Sequence, residues 1–316
     1  MPATVGAAPD LVAAIGNTPM VELRRLSPHD GVRLFAKLEG NNPTGSVKDR
    51  VARAMIESAI TDGSLVPGQT ILEPSSGNTG ISLAMIGSRL GHPVRIVMPD
   101  NTTPEREQIL RLFGAEIVFS PGAEGSNGAI RLAQELADAN ASLFMPYQYG
   151  NEANPRVHFE TTGPEILSQV PDVDVFVAGL GTGGTLTGVG QYLKRERPRV
   201  RIVAAEPLPG EQVQGLRSLE DGFVPPVLDA SVLDDKFLVN NRDAVIGLRR
   251  LLREEGIFAG LSCGAAIAVA VRVAREMESG SVVVLLADGG WKYLSADLWN
   301  RDLDELEDEL EGSLLW

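Results

Sequence analysis

Short apolar segments alternate with amphipathic segments along most of this chain, and that alternation limits the folds it can form. The pattern predicts strands over 70–74, 94–98 and 116–119, each followed by a helix. A second run begins at Val173, where an apolar strand, a glycine-rich loop and a helix precede another strand over 200–206. Apolar strands are also expected over 33–38 and 282–287. Strands joined by helices lie parallel in a sheet that helices cover on both faces. The pattern therefore predicts an α/β fold.

The two runs and the length of the chain predict two domains. At 316 residues the chain is long enough for about two domains of ~150 residues each. We expect one three-layer α/β domain over 45–148 and a larger one built from 10–44 and 149–300, followed by an acidic amphipathic tail over 301–316. Residues 207–230 show no periodic pattern and predict a long loop, and loops of that length are usually functional or disordered.

Charge and composition disfavour several classes of function. The formal net charge is −14, which disfavours binding to nucleic acids or anionic membranes. With one cysteine, Cys263, no internal disulfide is possible, and the three histidines lack partners at zinc-ligand spacing, so we expect no metal site. Without a signal-like start or an apolar run of ~18 residues, the chain is expected to be cytoplasmic.

The strongest functional signal lies in residues 42–50, which read Asn-Pro-Thr-Gly-Ser-Val-Lys-Asp-Arg. Pro43 and Gly45 are typical turn residues, and an amphipathic helix is expected from Asp49 onwards. Lys48 then lies at a helix N-terminus, where the helix dipole disfavours an ammonium. A neutral lysine amine can form a Schiff base with an aldehyde, although these local features alone are more typical of an exposed lysine.

Two polar loops that contain glycine each join a strand to a helix. The first, 75–80, reads Ser-Ser-Gly-Asn-Thr-Gly, and the second, 181–185, reads Gly-Thr-Gly-Gly-Thr. Backbone N–H groups at helix N-termini bind carboxylates or phosphates, and glycine lets the backbone approach the anion closely. The second loop also resembles a dinucleotide-binding fingerprint, with Glu206 at the end of the next strand. A dinucleotide-binding oxidoreductase or a non-catalytic binding module is therefore an alternative.

Together these motifs resemble the signature of the fold type II, or β-family, pyridoxal-phosphate enzymes, in particular the cysteine synthases. The stretch at 42–50 resembles the sequence around their cofactor lysine, and Gly-Asn-Thr-Pro at 16–19 resembles a motif near their start. The resemblance extends over essentially the whole chain. It implies a tryptophan synthase β-like fold with pyridoxal 5′-phosphate in the cleft between two domains, and a homodimer.

The resemblance also implies a role for particular residues. Lys48 is expected to hold the cofactor as a Schiff base, and Asn78 is expected to hydrogen-bond the ring hydroxyl. A serine hydroxyl, that of Ser262, is expected at the pyridine nitrogen, where it stabilises a pyridinium less than a carboxylate would and favours β-elimination over transamination. The cofactor phosphate is expected at Gly181, Thr182, Gly183, Gly184 and Thr185. The substrate carboxylate is expected at Ser75, Ser76, Thr79 and Gln148.

Arg217 is the residue expected to select the substrate. It lies in the long loop, and an isolated arginine there is usually solvated. The resemblance is greatest to actinobacterial O-phosphoserine sulfhydrylases, in which an arginine at this place is suited to a bidentate phosphate contact. It implies synthesis of L-cysteine from O-phosphoserine, with a thiocarboxylated small sulfur-carrier protein or sulfide as the sulfur donor. The ending Leu-Leu-Trp resembles an apolar tail that enters the active site in this subgroup.

Two alternatives share the same cofactor. One is an O-acetylserine sulfhydrylase, in which acetate leaves instead of phosphate. The other is dehydration of serine or threonine, or cystathionine synthesis. Regulated forms of this second group are not expected here, since no regulatory domain or haem-binding segment accompanies the motifs.

Overall fold

The computed structural model describes residues 7–75, 77–211 and 213–306, and their strands form two sheets. The strands are β1 (Met20–Glu22), β2 (Val32–Leu38), β3 (Thr70–Pro74), β4 (Val94–Pro99), β5 (Glu116–Ser120), β6 (Leu143–Phe144), β7 (Val173–Gly179), β8 (Arg201–Pro207), β9 (Asp235–Val239) and β10 (Gly280–Leu286). The large sheet has the order β1-β2-β10-β7-β8-β9, and the small sheet has the order β5-β4-β3-β6. Within the described residues every neighbouring pair is parallel except β1 with β2. The predicted α/β fold with parallel-rich sheets is confirmed.

Helices connect the strands and cover the sheets. They are α1 (Lys48–Asp62), α2 (Asn78–Leu90), α3 (Pro104–Leu112), α4 (Gly125–Ala139), α5 (Ala153–Val157), α6 (Gly163–Gln169), α7 (Gly184–Glu196), α8 (Asn241–Glu255) and α9 (Leu261–Glu276). A π-helical segment, His158–Thr162, joins α5 to α6. Glycines with positive φ follow α1 and α2, at Gly63 and Gly91, because glycine takes the left-handed conformation without steric cost.

The large sheet is buried on both faces. Val175 and Val284 point to one face and pack with residues of α8 and α9, whereas Phe176 and Val283 point to the other and pack with α6 and α7. Successive residues of a strand face opposite sides, so a strand covered on both sides must be apolar throughout. This is why β7 from Val175 onwards and β10 from Val282 onwards appear in the sequence as continuous apolar runs.

The small sheet is built in the same way. Ile71 and Ile96 pack with α1 and α2 on one face, and Leu72 and Val97 pack with α4 on the other. The C-terminal ends of β3 and β7 lead into the two glycine loops, so the two sheets direct their loops at one cleft. Open α/β sheets bind ligands at such strand ends.

Three strands, β1, β6 and β9, are absent from the sequence prediction. The first two are only three and two residues long, too short to show a periodic pattern. The third, β9, is an edge strand of mixed polarity, Asp-Lys-Phe-Leu-Val. The two sheets draw on the ranges expected for the two domains, and we propose that division as the domain boundary. Of the predicted tail helix, residues 303–306 are helical and 307–316 lie outside the described residues.

None of the helices in the described ranges has both the length and the apolar character needed to cross a bilayer.

Candidate active site

One cavity of about 330 Å³ collects most of the residues that the sequence predicted as functional. Those that line it are Lys48, Ser75, Asn78, Thr79, Gln148, Gly181, Thr182, Arg217 and Ser262. A smaller adjoining cavity shares Lys48 with the first and is lined also by Gly183 and Thr185. Gly184 lies in the same loop as the first residue of α7. The predicted residue Ser76 lies outside the described residues.

Lys48 is the first residue of α1, as predicted, and the preceding turn is held by the end of β10. The Val47 N–H donates to Ala287 O at 2.8 Å, and Ser46 forms a β-bridge with Asp288. Within the described part of the chain, the Lys48 ammonium has no hydrogen bond or ion pair. Removal from water lowers the pKa of Lys48 to about 8, and the Asp288 carboxylate opposes the change. Roughly one such amine in ten is neutral at pH 7, which suits chemistry that needs a free amine.

Asp49, next to Lys48, fixes the first turn of α1. Its buried carboxylate accepts hydrogen bonds from Thr44 N at 2.7 Å, from the Thr44 hydroxyl and from the Ser82 hydroxyl at 2.5 Å. Burial raises the pKa of Asp49, and these hydrogen bonds oppose the rise. The contacts bind the turn before α1 to α2 and thereby set the position of Lys48.

The loop after β3 is closed by its own side chains. Ser75 Oγ accepts from Gly77 N at 3.3 Å and from Gly80 N at 3.0 Å. The Thr79 hydroxyl donates to Gln148 Oε1 at 2.6 Å, so the Gln148 amide group keeps its N–H donors for other partners. Gln148 is buried rather than exposed, since its side chain is only 4% accessible.

A buried carboxylate that the sequence analysis missed holds Gln148 in place. Glu73, in β3, accepts from Tyr147 N at 2.8 Å and from Gln148 N at 2.9 Å. Burial raises the pKa of Glu73 to about 7, although these two hydrogen bonds oppose the rise. A polar residue near the end of an otherwise buried strand was the only sequence signal for this role.

Asn78 begins α2 and is held by residues that follow β10. Its Nδ2 donates to Asp288 Oδ2 at 2.8 Å, and its Oδ1 accepts from Lys292 Nζ at 2.6 Å. The Tyr293 hydroxyl donates to the same Asp288 oxygen at 2.8 Å. These partners lie more than 200 residues from Asn78 in the chain and were not predicted.

The loop after β7 has the geometry of an anion site. Gly183 has φ +83°, and a Cβ on Gly184 would lie 2.0 Å from Asn154 Oδ1, so the loop needs glycine at both places. Thr182 Oγ1 accepts from Asn154 Nδ2 at 3.0 Å. The smaller cavity is lined by Lys48, backbone amides, hydroxyls and apolar groups without a carboxylate, at the N-terminus of α7. This donor set fits the phosphate of the expected cofactor.

Ser262 is the second residue of α9, whose N-cap is Gly260. It is therefore not the N-cap residue of this helix. Its buried side chain lines both cavities, and its hydroxyl makes no hydrogen bond to the described residues. The hydroxyl is thus free to bind a ring nitrogen.

Arg217 reaches the cavity from the long loop. Its backbone N–H donates to Leu180 O at 2.8 Å, and its Nη1 donates to Asn127 Oδ1 at 3.2 Å. The guanidinium also lies 4.8 Å from the ring centre of Phe223 and 5.5 Å from that of Tyr149. No carboxylate of the described residues pairs with it, so its charge is available to a ligand.

Arg106, in α3, is a second cation of the cavity wall and was not predicted. It is only 5% accessible, donates from Nη2 to Gln214 Oε1 at 2.8 Å, and lies 5.0 Å from the ring centre of Tyr293. Its Nε has no hydrogen-bond partner, and among the described residues no carboxylate pairs with it. The cavity lining thus has three basic residues, Lys48, Arg106 and Arg217, against two glutamates, Glu124 and Glu211, in a chain of net charge −14, and this excess favours an anionic ligand.

Glu206 does not have the surroundings that the dinucleotide interpretation requires. That interpretation needs a carboxylate free to bind a ribose. Glu206 is fully buried, accepts from Leu219 N at 2.7 Å and pairs with Lys236 Nζ at 2.7 Å. It holds the long loop against β8 and β9 instead.

Cys263 is a buried free thiol. Burial raises its pKa to about 12, and the negative Asp288 contributes. The thiol therefore stays protonated at neutral pH and is a poor nucleophile. Within the described ranges no three His, Cys, Asp or Glu side chains are grouped so that they could hold a metal ion.

Comparison with known proteins agrees with this geometry. Residues 11–289 match the family model of pyridoxal-phosphate dependent enzymes. A cysteine synthase of Staphylococcus aureus (strain N315) is 44% identical over 303 residues, which cover 93% of this chain and 97% of that protein. A solved O-ureido-L-serine synthase superposes with a TM-score of 0.87 at 42% identity, covering 92% of this chain and 95% of that one. O-Acetyl serine sulfhydrylase isoform 3 from Entamoeba histolytica superposes with a TM-score of 0.87 at 36% identity, covering 97% of each chain.

Proposed function

Because the chain belongs to the family of pyridoxal-phosphate-dependent enzymes, we propose that it is a cysteine synthase whose preferred substrate is O-phosphoserine. Its cofactor is pyridoxal phosphate, and it is a cysteine-synthase-type enzyme. The proposed reaction replaces the phosphate on the β-carbon of O-phosphoserine with sulfur and gives L-cysteine.

The side chains of the cavity have complementary roles in this proposal. When bound, pyridoxal phosphate supplies an electron-accepting ring that stabilises negative charge at the substrate α-carbon. Lys48 would hold the cofactor, and its Nζ would act as the base that accepts the proton from the substrate α-carbon. A lysine with a pKa of about 8 can both take up and release a proton near neutral pH.

The remaining predicted residues orient the two ligands. We assign the α-carboxylate to the loop after β3, with the free amide of Gln148 as an additional donor. Asn78 contacts the ring hydroxyl, and the Ser262 hydroxyl contacts the ring nitrogen without adding a negative charge. The amides and hydroxyls of 181–185 bind the cofactor phosphate, which keeps the reacting ring next to Lys48.

The observation that carries the choice of O-phosphoserine is the unpaired guanidinium of Arg217 in the cavity wall. A departing phosphate carries about two negative charges, and an arginine can bind it with two parallel hydrogen bonds. Acetate carries one charge and gains less from such a contact. The rings of Tyr149 and Phe223 hold the guanidinium in place before a ligand binds.

O-Acetylserine is the second candidate substrate. It is favoured by the similarity to the Entamoeba histolytica protein, an O-acetyl serine sulfhydrylase of similar fold. The O-ureido-L-serine synthase is a further relative, so related proteins differ in the serine derivative that they handle. Both candidates use the same lysine and differ at the leaving-group end of the cavity.

Steady-state kinetics of Arg217→Ala with each serine ester decide between them. We expect kcat/KM for O-phosphoserine to fall roughly a hundredfold, the value of a pair of charge-assisted hydrogen bonds, and that for O-acetylserine to change less than about threefold. Arg199→Ala, which removes an exposed arginine, is the matched control. Unchanged O-phosphoserine kinetics in Arg217→Ala would refute the phosphate role.

The sulfur donor and the assembly are further parts of the proposal. We propose a thiocarboxylated small carrier protein as donor, with sulfide as a lesser one, and a homodimer. A cysteine assay that supplies each donor at equal concentration tests the first point. Light scattering of the purified protein tests the second, and a monomer at micromolar concentration would contradict it.

A further inference from the structure

Lys292 is a buried cation for which the proposed reaction has no role. It lies in the 3₁₀-helical segment Gly290–Ala296 and has no accessible surface. Its Nζ donates to Asn78 Oδ1 at 2.6 Å and to Gly45 O at 3.1 Å. Burying an ammonium is unfavourable even when its hydrogen bonds are made, and an apolar side chain would fill this place without that penalty. The ammonium itself therefore needs an explanation.

The partners of Asn78 determine which way its carboxamide faces. Lys292 can only donate hydrogen bonds, and the Asp288 carboxylate can only accept them. A flipped carboxamide would set its NH₂ against the ammonium and its oxygen against the carboxylate. Asp288 uses one N–H of Asn78 Nδ2, so a single N–H remains, and Asn78 lines the cavity. The arrangement makes Asn78 a donor toward the ligand and not an acceptor.

Asp288 is itself held in this orientation. The Tyr293 hydroxyl donates to Asp288 Oδ2 at 2.8 Å, and burial together with Asp288 raises the pKa of Tyr293 well above its ordinary value. The phenol therefore keeps its proton and continues to donate. A Cβ on Gly260 would lie 2.1 Å from Asp288 Oδ1, so the backbone packs against the other carboxylate oxygen.

We propose that Lys292 is a positioning residue that fixes Asn78 as a hydrogen-bond donor to the ring oxygen of the cofactor and places a positive charge behind that donor. This inference rests on the proposed function, in which Asn78 contacts the ring hydroxyl of pyridoxal phosphate. A donor backed by an ammonium favours the anionic form of the oxygen that it contacts over the protonated form. Lys292 thus affects cofactor affinity and colour without touching the cofactor.

The charges around Lys292 are consistent with an ammonium at neutral pH. Burial lowers its pKa to about 8, Asp288 and Asp49 oppose that change, and Arg106 adds to it. The ring centre of Trp291 lies 4.7 Å from Nζ and contributes a cation–π contact. At pH 7 the charged form therefore predominates.

The test compares reconstituted Lys292→Met with Lys194→Met, which removes a surface lysine paired with Asp234. For Lys292→Met we expect a visible absorption band that loses intensity to a near-ultraviolet band, and a dissociation constant for pyridoxal phosphate about tenfold higher, which corresponds to one net hydrogen bond. Lys194→Met should match the parent in both. Circular dichroism melting checks that each variant folds.

Two further variants separate positioning from packing. Lys292→Arg keeps a charged donor, so it should restore the visible band. Lys292→Gln should not restore the band, because its own carboxamide can present either end to Asn78. This variant also serves in place of Lys292→Met should the latter not fold. In an Asn78→Ala background, replacing Lys292 should add no further spectral change, since Lys292 acts through Asn78.

An unchanged spectrum and affinity in the uncharged variants, or additive effects in the Asn78→Ala background, would overturn the proposal. Borohydride labelling distinguishes this failure from failure of the proposed function. Lys292→Met should still take a pyridoxyl label on Lys48, whereas a parent protein without that label contradicts the function itself and this inference with it.

Discussion

Two basic side chains lie two residues apart at the start of α1, and their surroundings are opposite. Arg50 donates to both oxygens of Glu39 at 2.8 and 2.9 Å and to both oxygens of Glu165 at 2.7 Å. Burial disfavours its charge, yet these carboxylates raise its pKa overall. Lys48 is also withdrawn from water but has no such partner among the described residues, and its pKa falls to about 8.

The difference shows how one helix turn supports both stability and chemistry. Arg50 joins α1 to α6 through Glu165 and to the segment after β2 through Glu39, and Lys37 also pairs with Glu165 at 2.7 Å. This network holds the start of α1 between the two sheets. The network sets the position of Lys48, which has no counter-ion among the described residues. Its lowered pKa leaves part of it as the neutral amine, the form that reacts with an aldehyde.

Removing Lys48, the reactive residue of the two, should have the largest effect. We expect Lys48→Ala to lower kcat by roughly 10⁴-fold or more, because the variant loses both the cofactor link and the base. Its thermal midpoint without cofactor should not fall, since no ion pair is broken. Cysteine formation and calorimetry measure the two effects, and activity within tenfold of the parent would contradict the assignment.

Removing Arg50, the residue with carboxylate partners, should lower stability instead. Arg50→Met leaves the Glu39 carboxylate buried without its guanidinium, and we expect a loss of about 3–5 kcal/mol in unfolding free energy. Urea denaturation measures this loss. Arg53→Met, which breaks an exposed pair with Glu57 at 2.8 Å, should cost less than about 1 kcal/mol. Equal losses in the two variants would show that the buried network stabilises the fold no more than an exposed ion pair does.

The pH dependence of pyridoxal phosphate uptake tests whether the pKa of Lys48 is lowered, as the comparison with Arg50 implies. The free amine of Lys48 increases as pH rises through about 8, whereas an ordinary lysine changes near pH 10.4. Protein freed of cofactor should therefore take up pyridoxal phosphate about fifteen times faster at pH 8 than at pH 6.5 and reach a plateau by about pH 9. Stopped-flow absorbance follows the rate. An increase that continues unchanged to pH 10.5 would contradict a lowered pKa.

The smallest effect is expected at Cys263, a buried group that the reaction does not use. Because burial raises the pKa of its thiol to about 12, Cys263→Ala removes no nucleophile. We expect kcat within about twofold of the parent and a stability loss of about 1 kcal/mol for the lost packing. Kinetics and urea denaturation measure both, and a loss of more than about a hundredfold in kcat would assign the thiol a role that this account lacks.

The sequence was informative where the relevant residues are adjacent in the chain. The apolar runs of β7 and β10 predicted buried parallel strands, and the turn before α1 and both glycine loops predicted where anions and an amine would meet. Glycine and serine at helix starts meet local needs of the backbone, so their pattern can be recognised in the sequence without knowledge of the fold. The short strands β1 and β6 have no such pattern.

The supporting contacts could not be predicted in this way. Arg50 and Glu165 are 115 positions apart, and Lys292 and Asn78 are 214 apart. Whether a cation finds a carboxylate depends on which elements pack together, which a single chain does not reveal. Arg106 and Glu73 were missed for the same reason: each lies in an ordinary helix or strand and gains its role only from partners that are distant in the chain.

The most direct test of the central claim is borohydride reduction of the purified protein with pyridoxal phosphate, followed by peptide mapping. Lys48 lies in the cavity between the two sheets, lacks a counter-ion among the described residues, and is the amine that we expect to be linked to the cofactor. The predicted result is a pyridoxyl label on Lys48. A label on Lys292 or on another lysine, or no label, would contradict the account.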